Sequence, residues 1–296
     1  MDDRRRRSTP LDRLLEAAGR AVGGVRLLVD EPTPGITRIR LSSRASRVNG
    51  METALYLLGS VLVDTGFVHA APPLLRFLAE RRLLAICLTH HHEDHAGSAG
   101  PLAARHGCSV YLRNPDRRFD EGLGDLKPYR RLWWGEPPAY EPVEMPERIA
   151  VDGTELRALP IPGHSATHTA LLHEPSGTVL TGDLFITGGA TAVMSHENPF
   201  DAIASLRRVA ALEPRRMLTG HALVVETPAP VLRKKADTIE VAAARVLALH
   251  ASGAAVPEIV RRVFPNGRAH DLMMGALTGG EFSRTCFVRA CLRYSR

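Results

Sequence analysis

The sequence contains few cysteines, and this scarcity limits the class of protein that it encodes. Only four occur among 296 residues, and none of them stands in a Cys-x-x-Cys pair. The set is too sparse for a disulfide-rich secreted scaffold, and Cys87, inside the apolar run LLAICL, is expected to be buried. We therefore predict a reduced, cytoplasmic protein.

Long apolar runs are also absent. No segment approaches the roughly 20 apolar residues that cross a bilayer, so we expect no association with a membrane. Four consecutive arginines lie near the start, but no apolar region follows them, which argues against a secretory signal. We interpret residues 1–20 as an N-terminal tail.

Lysine is scarce as well: only three of the 38 basic residues are lysines. The formal net charge is nevertheless +6, which permits binding to nucleic acid or to an anionic substrate. Solvated surface arginines explain the same excess of charge, and we favour that interpretation. Nucleic acid is thus a permitted partner that the composition does not require.

Short hydrophobic runs that alternate with helical patterns predict an α/β fold. Residues 25–64 contain apolar or alternating runs separated by Pro-Gly and Asn-Gly breaks, a pattern typical of strands. Helical spacing is found over residues 71–82, 96–107 and 200–212, with further short apolar runs between these segments.

Two segments depart from this pattern. Residues 113–146 are rich in proline, arginine and aromatic residues and are too long for a simple connector, so we predict an insertion that forms a lid or a pocket wall. After Thr227-Pro228 the sequence becomes helical throughout. We place a boundary there, between a domain of residues 21–226 and a helical C-terminal domain of residues 227–296.

The segment LTHHHEDHAG, residues 88–97, has the composition of a metal site. In an extended chain alternate side chains face the same way, so His90 and His92 can converge on one ion while the residues between them point elsewhere. Asp94 and His95 follow where the chain turns into a helix, which puts an oxygen and a nitrogen ligand near a second ion. Imidazole and carboxylate together suit zinc, and also iron or manganese.

Further ligands are predicted beyond this loop. His164 in PGHSATH, Asp183 in LTGD and His221 in LTGH each follow a glycine at the end of a short apolar strand. Glycine lets the backbone turn sharply and approach closely at such points. One histidine-rich loop alone would be a surface feature, but four separate elements at strand ends favour a metal centre.

These motifs together resemble the metallo-β-lactamase-fold metallo-hydrolase superfamily. The similarity covers about residues 36–225 and includes VLVDTG at 61–66. RVNGMETALYLLG resembles glyoxalase II-like members, and HASGAAVPEIVRRVFP resembles the C-terminal domain of β-lactamase-like protein 2 relatives. The resemblance implies an αββα sandwich followed by a small α-helical, winged-helix-like domain.

The resemblance also implies seven ligands for two metal ions, expected to be zinc. His90, His92 and His164 would bind the first ion, Asp94, His95 and His221 the second, and Asp183 would bridge the two. Asp64 would hold the histidine loop by hydrogen bonds without touching metal, and His168 would support the site from behind. Two dications about 3.5–4 Å apart lower the pKa of a bridging water to give hydroxide near neutral pH, and Asp94 would orient it and shuttle a proton.

The residues around the metals are expected to include the only two tryptophans. Trp133 and Trp134, next to Arg130 and Arg131, are predicted to give the pocket an apolar wall with a cationic rim. The alternative is that they pin the insertion to the core. His196, in MSHENPF, is predicted to border the same pocket.

The motifs narrow the reaction as well. True β-lactamases of this fold usually lack a histidine at the position of His95 or an aspartate at that of Asp183, and flavodiiron proteins carry glutamate in place of His92. We therefore predict a hydrolase that cleaves a small-molecule thioester, lactone or related carboxylic ester.

Three alternatives stay open. The first is a single-stranded RNA endonuclease or phosphodiesterase, which the six arginines of residues 261–293 would suit, although few aromatic side chains are available there for stacking. The second is a mononuclear iron persulfide dioxygenase, and the third is a member that binds metal for other work.

Overall fold

A computed structural model describes residues 24–48, 50–119, 126–186, 193–266 and 268–295. The predicted tail of residues 1–20 lies outside these ranges, as does part of the predicted insertion. Within them the chain forms two β-sheets that face each other, with helices on both outer sides.

The first sheet contains the first seven described strands in sequence order. They are β1 Arg26–Thr33, β2 Ile36–Ser42, β3 Thr53–Leu58, β4 Val61–Val63, β5 Ala85–Cys87, β6 Ser109–Leu112 and β7 Pro142–Glu144. Strands β1 to β4 pair antiparallel, whereas β4 to β7 pair parallel through helical crossovers or a longer connection. Because β3, β4 and β5 are buried along their whole length, they are apolar at nearly every position.

The second sheet contains six strands in the order β13-β12-β11-β10-β9-β8. They are β8 Arg148–Val151, β9 Thr154–Pro160, β10 Thr169–His173, β11 Thr178–Leu180, β12 Arg216–Leu218 and β13 Val224–Glu226. The pair β11 and β12 is parallel and the other pairs are antiparallel. The two strands of the parallel pair therefore end at the same edge of the sheet.

Ten α-helices accompany the sheets in the described part of the chain. They are α1 Arg44–Val48, α2 Ala71–Phe77, α3 Glu93–Ala96, α4 Ala99–His106, α5 Pro128–Trp133, α6 Pro199–Ala211, α7 Ala229–Ala251, α8 Val256–Val263, α9 Arg268–Thr278 and α10 Arg284–Tyr294. The start of α6 shows why the helices begin where they do: the side chain of Asn198 accepts hydrogen bonds from the amides of Phe200 and Asp201.

Three apolar clusters hold these layers together. The central cluster lies between the sheets and includes Tyr56 and Val63 from the first and Leu171 and Leu180 from the second. One outer cluster packs the first sheet against α2 and α4, and the other packs the second sheet against α6, α7, α8 and α10. The predicted αββα sandwich with helices at the C-terminus is confirmed.

The predicted insertion contributes to the sandwich itself. Its end forms β7, which extends the first sheet, and its middle contains α5. The predicted domain boundary coincides with the end of β13, but α7 shares its apolar cluster with the second sheet. The division into two domains therefore stays a prediction. Within the described ranges, no helix combines the length and hydropathy needed to cross a membrane.

Two neighbouring leucines test this core. Leu83 is 2% exposed in the first outer cluster, whereas Leu84 is 51% exposed. Leu83→Ala should lower the free energy of unfolding by about 2–5 kcal/mol, because it removes apolar contacts and leaves a cavity. Leu84→Ala should change it by about 0.5 kcal/mol or less. Chemical denaturation measures both variants, and equal effects would contradict the packing described above.

Candidate metal centre

The predicted ligands lie where strands of both sheets end. The chain leaves β5 into the histidine loop, β11 ends just before Asp183, and β12 ends just before His221. Because β11 and β12 are parallel neighbours, the last two residues meet at one edge. There the amide of Gly220 donates to the carbonyl of Gly182 at 2.8 Å, which ties the two loops together.

Three histidines form the first group of candidate ligands. His90, His92 and His164 each offer a ring nitrogen within 4.8 Å of the others, and all three side chains are buried. The Nε2 of His164 lies 3.0 Å from the Nδ1 of His92. The alternation predicted from the sequence therefore brings the two loop histidines to one point.

The second group contains two histidines and two aspartates. Asp94, His95, Asp183 and His221 offer ligand atoms within 4.8 Å of one another. One oxygen of Asp183 lies 3.2 Å from Nε2 of His95, and the other lies 3.2 Å from Nε2 of His221. The latter oxygen is also 3.6 Å from Nε2 of His164, in the first group. Asp183 thus stands between the groups, where a bridging ligand is expected.

In four of the candidate histidine ligands, one ring nitrogen faces the centre and the other contacts a neighbouring oxygen. The partners are Thr89 Oγ1 for His90 at 3.1 Å, Asp64 Oδ2 for His95 at 2.9 Å, the Glu52 carbonyl for His221 at 2.9 Å and Glu197 Oε2 for His164 at 3.4 Å. The inward Nε2 of His90 is buried and has no hydrogen-bond partner among the described residues. Buried polar atoms are rarely left so, and this arrangement fits metal ligation.

Asp64 organises the histidine loop. Its carboxylate accepts hydrogen bonds from the amide of Thr89 at 2.7 Å and the hydroxyl of Thr89 at 2.9 Å, and it also contacts His95. Its backbone has φ of 60°, a left-handed conformation that is uncommon for a residue other than glycine. Such strain is tolerated where surrounding contacts fix the residue, as they do here.

The charges in the two groups differ. Burial and neighbouring imidazoles lower the pKa of His90 and His92 well below the ordinary value, so both rings are neutral. Burial also lowers the pKa of His221, but the Asp183 carboxylate outweighs this and raises the pKa to about 9. Burial raises the pKa of Asp183, and His221 and His95 outweigh that effect and hold it well below its usual range. Neutral imidazole and ionised carboxylate are the forms that bind metal, so the first group is ready to bind an ion, whereas His221 would release a proton on binding one.

Glycine is required before two of the candidate ligands because a side chain would not fit there. A Cβ on Gly220 would collide with the ring of His95 and lie 2.6 Å from Oδ1 of Asp183. Gly182 has φ of +48°, and a Cβ there would lie 2.6 Å from Oγ1 of Thr89. The two loops therefore approach the centre more closely than any other residue would allow.

Three further histidines are neighbours of the candidate ligands in the chain or in space. The amide of Asp183 donates to Nε2 of His168 at 3.3 Å, so His168 supports the backbone of a candidate ligand. His91 contacts Oγ1 of Thr167 at 2.9 Å and belongs to neither group of candidate ligands. The ring centroid of His196 lies 5.5 Å from that of His92, which puts His196 beside the first group.

The two tryptophans pack against the same outer cluster and differ in burial. Trp134 is 5% exposed in the outer core, and its ring packs on Phe67 with centroids 5.3 Å apart. This packing favours the alternative that Trp134 pins the segment to the core, and a place for it in the pocket wall stays a prediction. Trp133 packs partly buried against the same cluster, and its place in a pocket wall stays a prediction.

The stretch that carries every candidate ligand also matches a protein family. A model of the Metallo-beta-lactamase superfamily matches residues 53–221, which is more than half of the chain. The chain belongs to the metallo-beta-lactamase superfamily. All seven candidate ligands and Asp64 fall within the matched range.

Curated relatives of this superfamily member are about a quarter to a third identical to it. A hydroxyacylglutathione hydrolase from Alkalilimnicola ehrlichii is 34% identical over 55% of this chain and 56% of its own length. A Beta-lactamase-like protein 2 homolog from Drosophila melanogaster is 29% identical over 66% and 69%, and an atrochrysone carboxyl ACP thioesterase from Aspergillus fumigatus is 26% identical over 71% and 62%. The predicted family and the predicted class of enzyme, a hydrolase of this superfamily, are confirmed.

Solved structures share the fold. A beta-lactamase domain protein from Burkholderia ambifaria aligns with a TM-score of 0.65 at 19% identity, over 90% of this chain and 88% of that one, which shows the shared fold. The structure of TTHA1623 in a di-iron-bound form aligns with a TM-score of 0.51 at 28% identity, over 61% of this chain and 92% of that one.

The buried ion pair of Glu93 and Arg130 is not predicted by the sequence. Glu93, inside the histidine motif, is 2% exposed and forms a two-pronged ion pair with Arg130 of α5, which is 5% exposed. The Nη1 of Arg130 also lies 3.3 Å from the sulfur of Met194. The alternation of the motif predicts that Glu93 points away from the ligands, but no spacing reveals a partner 37 residues away.

The C-terminal helices hold the two segments that flank the centre. The hydroxyl of Tyr294 donates to the carbonyl of His196 at 3.1 Å, and Arg293 donates to the carbonyl of Ser195 at 3.2 Å. On the other side, the ammonium of Lys127, just before α5, donates to the carbonyl of Gly279 at 3.0 Å. The helical segment is therefore part of the frame around the metal centre.

The buried pair Glu93–Arg130 gives a stability prediction. Arg130→Met should lower the free energy of unfolding by about 3–5 kcal/mol, because it leaves the carboxylate of Glu93 buried without a partner. Combining it with Glu93→Gln should recover part of this loss, since no buried charge then remains. Arg148→Met removes an exposed ion pair with Glu155 and should cost about 1 kcal/mol or less. Denaturant titrations compare the three variants with wild type, and similar costs for Arg130→Met and Arg148→Met would contradict this account.

Proposed function

We propose that the chain is a binuclear metal-dependent hydrolase that cleaves a thioester, a lactone or a related carboxylic ester. The observation that carries the proposal is the place of Asp183, whose carboxylate meets His95 and His221 at 3.2 Å and His164 at 3.6 Å. The first ion would be held by His90, His92 and His164, the second by Asp94, His95 and His221, with Asp183 between them. Zinc suits these donors, and iron and manganese also accept them.

Two bound ions of this kind would polarise a carbonyl oxygen and lower the pKa of a water. The chain's own contribution is orientation and proton transfer. Asp94 is 8% exposed, and its Oδ2 lies 3.8 Å from Nε2 of His221 and 3.7 Å from Nε2 of His95. From there its carboxylate can orient an attacking water and take up its proton. The burial of both groups limits access of bulk water, which strengthens electrostatic effects inside.

The proposed substrate class is supported by the names of the relatives. Two of them are named as a hydroxyacylglutathione hydrolase and an ACP thioesterase, and both names denote cleavage of an acyl thioester. At the identities observed, these names support a bond type without naming the acyl group or the carrier. The small-molecule substrate and the cytoplasmic location predicted from the sequence belong to the same proposal.

The C-terminal helices give less support to a nucleic-acid substrate than the relatives give to an ester. Arg284 pairs with Asp271 at 3.2 Å and Arg262 pairs with Glu258 at 3.3 Å, so part of the basic charge is already neutralised. Phe287 is 1% exposed and cannot stack on a base. A mononuclear iron dioxygenase would leave one of the two ligand groups without an ion, which the shared position of Asp183 disfavours.

A substrate panel on the zinc-loaded protein tests the proposal. We expect turnover of an acyl thioester with kcat/KM in the range of about 10⁴–10⁸ M⁻¹ s⁻¹ that is usual for enzymes. His164→Gln should lower it at least ~100-fold, because it removes a candidate ligand. His250→Gln, on the exposed side of α7, is the matched control and should equal wild type.

The same panel includes a lactone, a phosphodiester, single-stranded RNA and an iron-loaded sample with a persulfide. Cleavage of RNA without cleavage of any ester would support the nuclease. Oxygen uptake on the persulfide with one iron per chain would support the dioxygenase. Either result would contradict the proposed esterase or thioesterase activity.

A further inference from the structure

The turn that contains His221 has a backbone conformation that its sequence does not favour. Ala222, the next residue, has φ of 64°, in the left-handed region. This conformation is unfavourable for an L-residue, and alanine has no polar side chain that could compensate through a local hydrogen bond. Such a conformation persists where surrounding contacts fix it. The contacts of this turn therefore affect where the imidazole of His221 points.

Two side chains of the first sheet hold this turn on either side of the histidine. The hydroxyl of Tyr56 in β3 donates to the carbonyl of Thr219 at 2.6 Å, before His221. The guanidinium of Arg38 in β2 donates from Nη1 to the carbonyl of Ala222 at 2.7 Å, after it. Arg38 and Tyr56 are direct partners across β2 and β3, so the two donors lie side by side. Both reach across the space between the sheets to the turn that follows β12.

A carboxylate of β1 fixes the guanidinium of Arg38. Asp30 is the partner of Arg38 in the register of β1 and β2, and its two oxygens accept hydrogen bonds from Nε at 2.8 Å and from Nη2 at 2.5 Å. This fork fixes the plane of the guanidinium and leaves Nη1 for the carbonyl of the turn. The side chain of Arg38 is thus held on one side by β1 and holds the turn on the other.

Alternation along β2 accounts for the direction of this arginine. Ile39 and Leu41 pack in the first outer cluster, whereas Ile36 packs in the central cluster between the sheets. Arg38 follows Ile36 by two residues and therefore shares its face. Its side chain is only 11% exposed. A charged side chain is uncommon in such a layer unless it is paired and hydrogen-bonded, as Arg38 is.

We propose that Arg38 is a positioning residue for His221, a candidate ligand of the second ion. Arg38 holds the carbonyl of Ala222 and so keeps the turn in its left-handed conformation. In that conformation Nε2 of His221 lies 3.2 Å from Oδ2 of Asp183. The carbonyl of Glu52 contacts Nδ1 of the same ring at 2.9 Å and limits its rotation, whereas Arg38 fixes the backbone. The proposal rests on the proposed function for the presence of the second ion.

Zinc binding to the metal-free protein, measured by calorimetry in competition with a chelator, tests the proposal without any substrate. Arg38→Met should weaken the binding of one of two ions about 10- to 100-fold, the usual effect of removing a group that orients a ligand. The other ion should bind with nearly the wild-type affinity. Arg38→Lys keeps a donor but not the fork, and it should lose less affinity. Equal weakening of both ions, or wild-type binding of both by Arg38→Met, would overturn the proposal.

The substitution Ala222→Gly separates positioning from a general loss of stability. Glycine adopts the left-handed conformation without strain, so the turn then depends less on an external hydrogen bond. Adding Ala222→Gly to Arg38→Met should restore the affinity for the weakened ion by at least ~5-fold, and Ala222→Gly alone should bind zinc as wild type does. If the double variant binds zinc no better than Arg38→Met, the proposal fails.

Arg216 provides a matched control, because it also joins the two sheets. It lies at the start of β12, at the other end of that strand from His221, and its Nη1 donates to Oγ1 of Thr33 in β1 at 2.7 Å. Arg216→Met should lower the melting temperature, as Arg38→Met should, but leave zinc binding at the wild-type value. A similar loss of zinc in both variants would indicate a general loosening of the sheets and would contradict the proposal.

Nuclear magnetic resonance of the metal-free protein separates this proposal from the proposed function. The ring N–H protons of His221, identified by their absence in His221→Gln, should exchange slowly in wild type, because both ring nitrogens contact oxygens. These signals should disappear in Arg38→Met and return in the double variant. If they do so in a protein that binds one ion or cleaves no ester, the positioning role stands and the proposed function fails. If Arg38→Met keeps the signals and binds two ions, the positioning role fails and the proposed function stands.

Discussion

The site depends on one carboxylate, that of Asp183, because it is the group on which both sets of candidate ligands converge. It lies 3.2 Å from ring nitrogens of His95 and His221 and 3.6 Å from that of His164. For one residue to reach all three, the ends of strands from two sheets must meet at one edge, and the loops must approach closely. The sandwich provides the edge, and Gly182 and Gly220 provide the close approach.

Support for this centre comes from groups far apart in the chain. Asp64 ties the end of β4 to the histidine loop, Arg130 neutralises Glu93 behind that loop, and Glu197 meets the outer nitrogen of His164. The C-terminal helices bind the segments that contain Arg130 and Glu197 by hydrogen bonds. The helical region therefore helps to fix the surroundings of the centre.

The sequence predicts which candidate ligands the fold brings together, because each of them follows a local rule. Alternation along an extended loop selects His90 and His92, and a glycine before a histidine or aspartate at the end of an apolar strand marks the others. Long-range partners leave no such signal. The Glu93–Arg130 pair and the burial of Trp134 against Phe67 depend on how distant elements pack. The assignment of residues 113–146 as an insertion is incomplete for the same reason, since β7 has only three residues and belongs to the sheet through its pairing with β6.

The central claim, two ions around Asp183, is tested most directly by anomalous diffraction from crystals of the metal-loaded protein, recorded on both sides of the metal absorption edge. The account predicts two peaks about 3.5–4 Å apart. One should be in contact with His90, His92 and His164, the other with Asp94, His95 and His221, and Asp183 should touch both. A single peak, or two peaks that leave Asp183 in contact with only one of them, would contradict it.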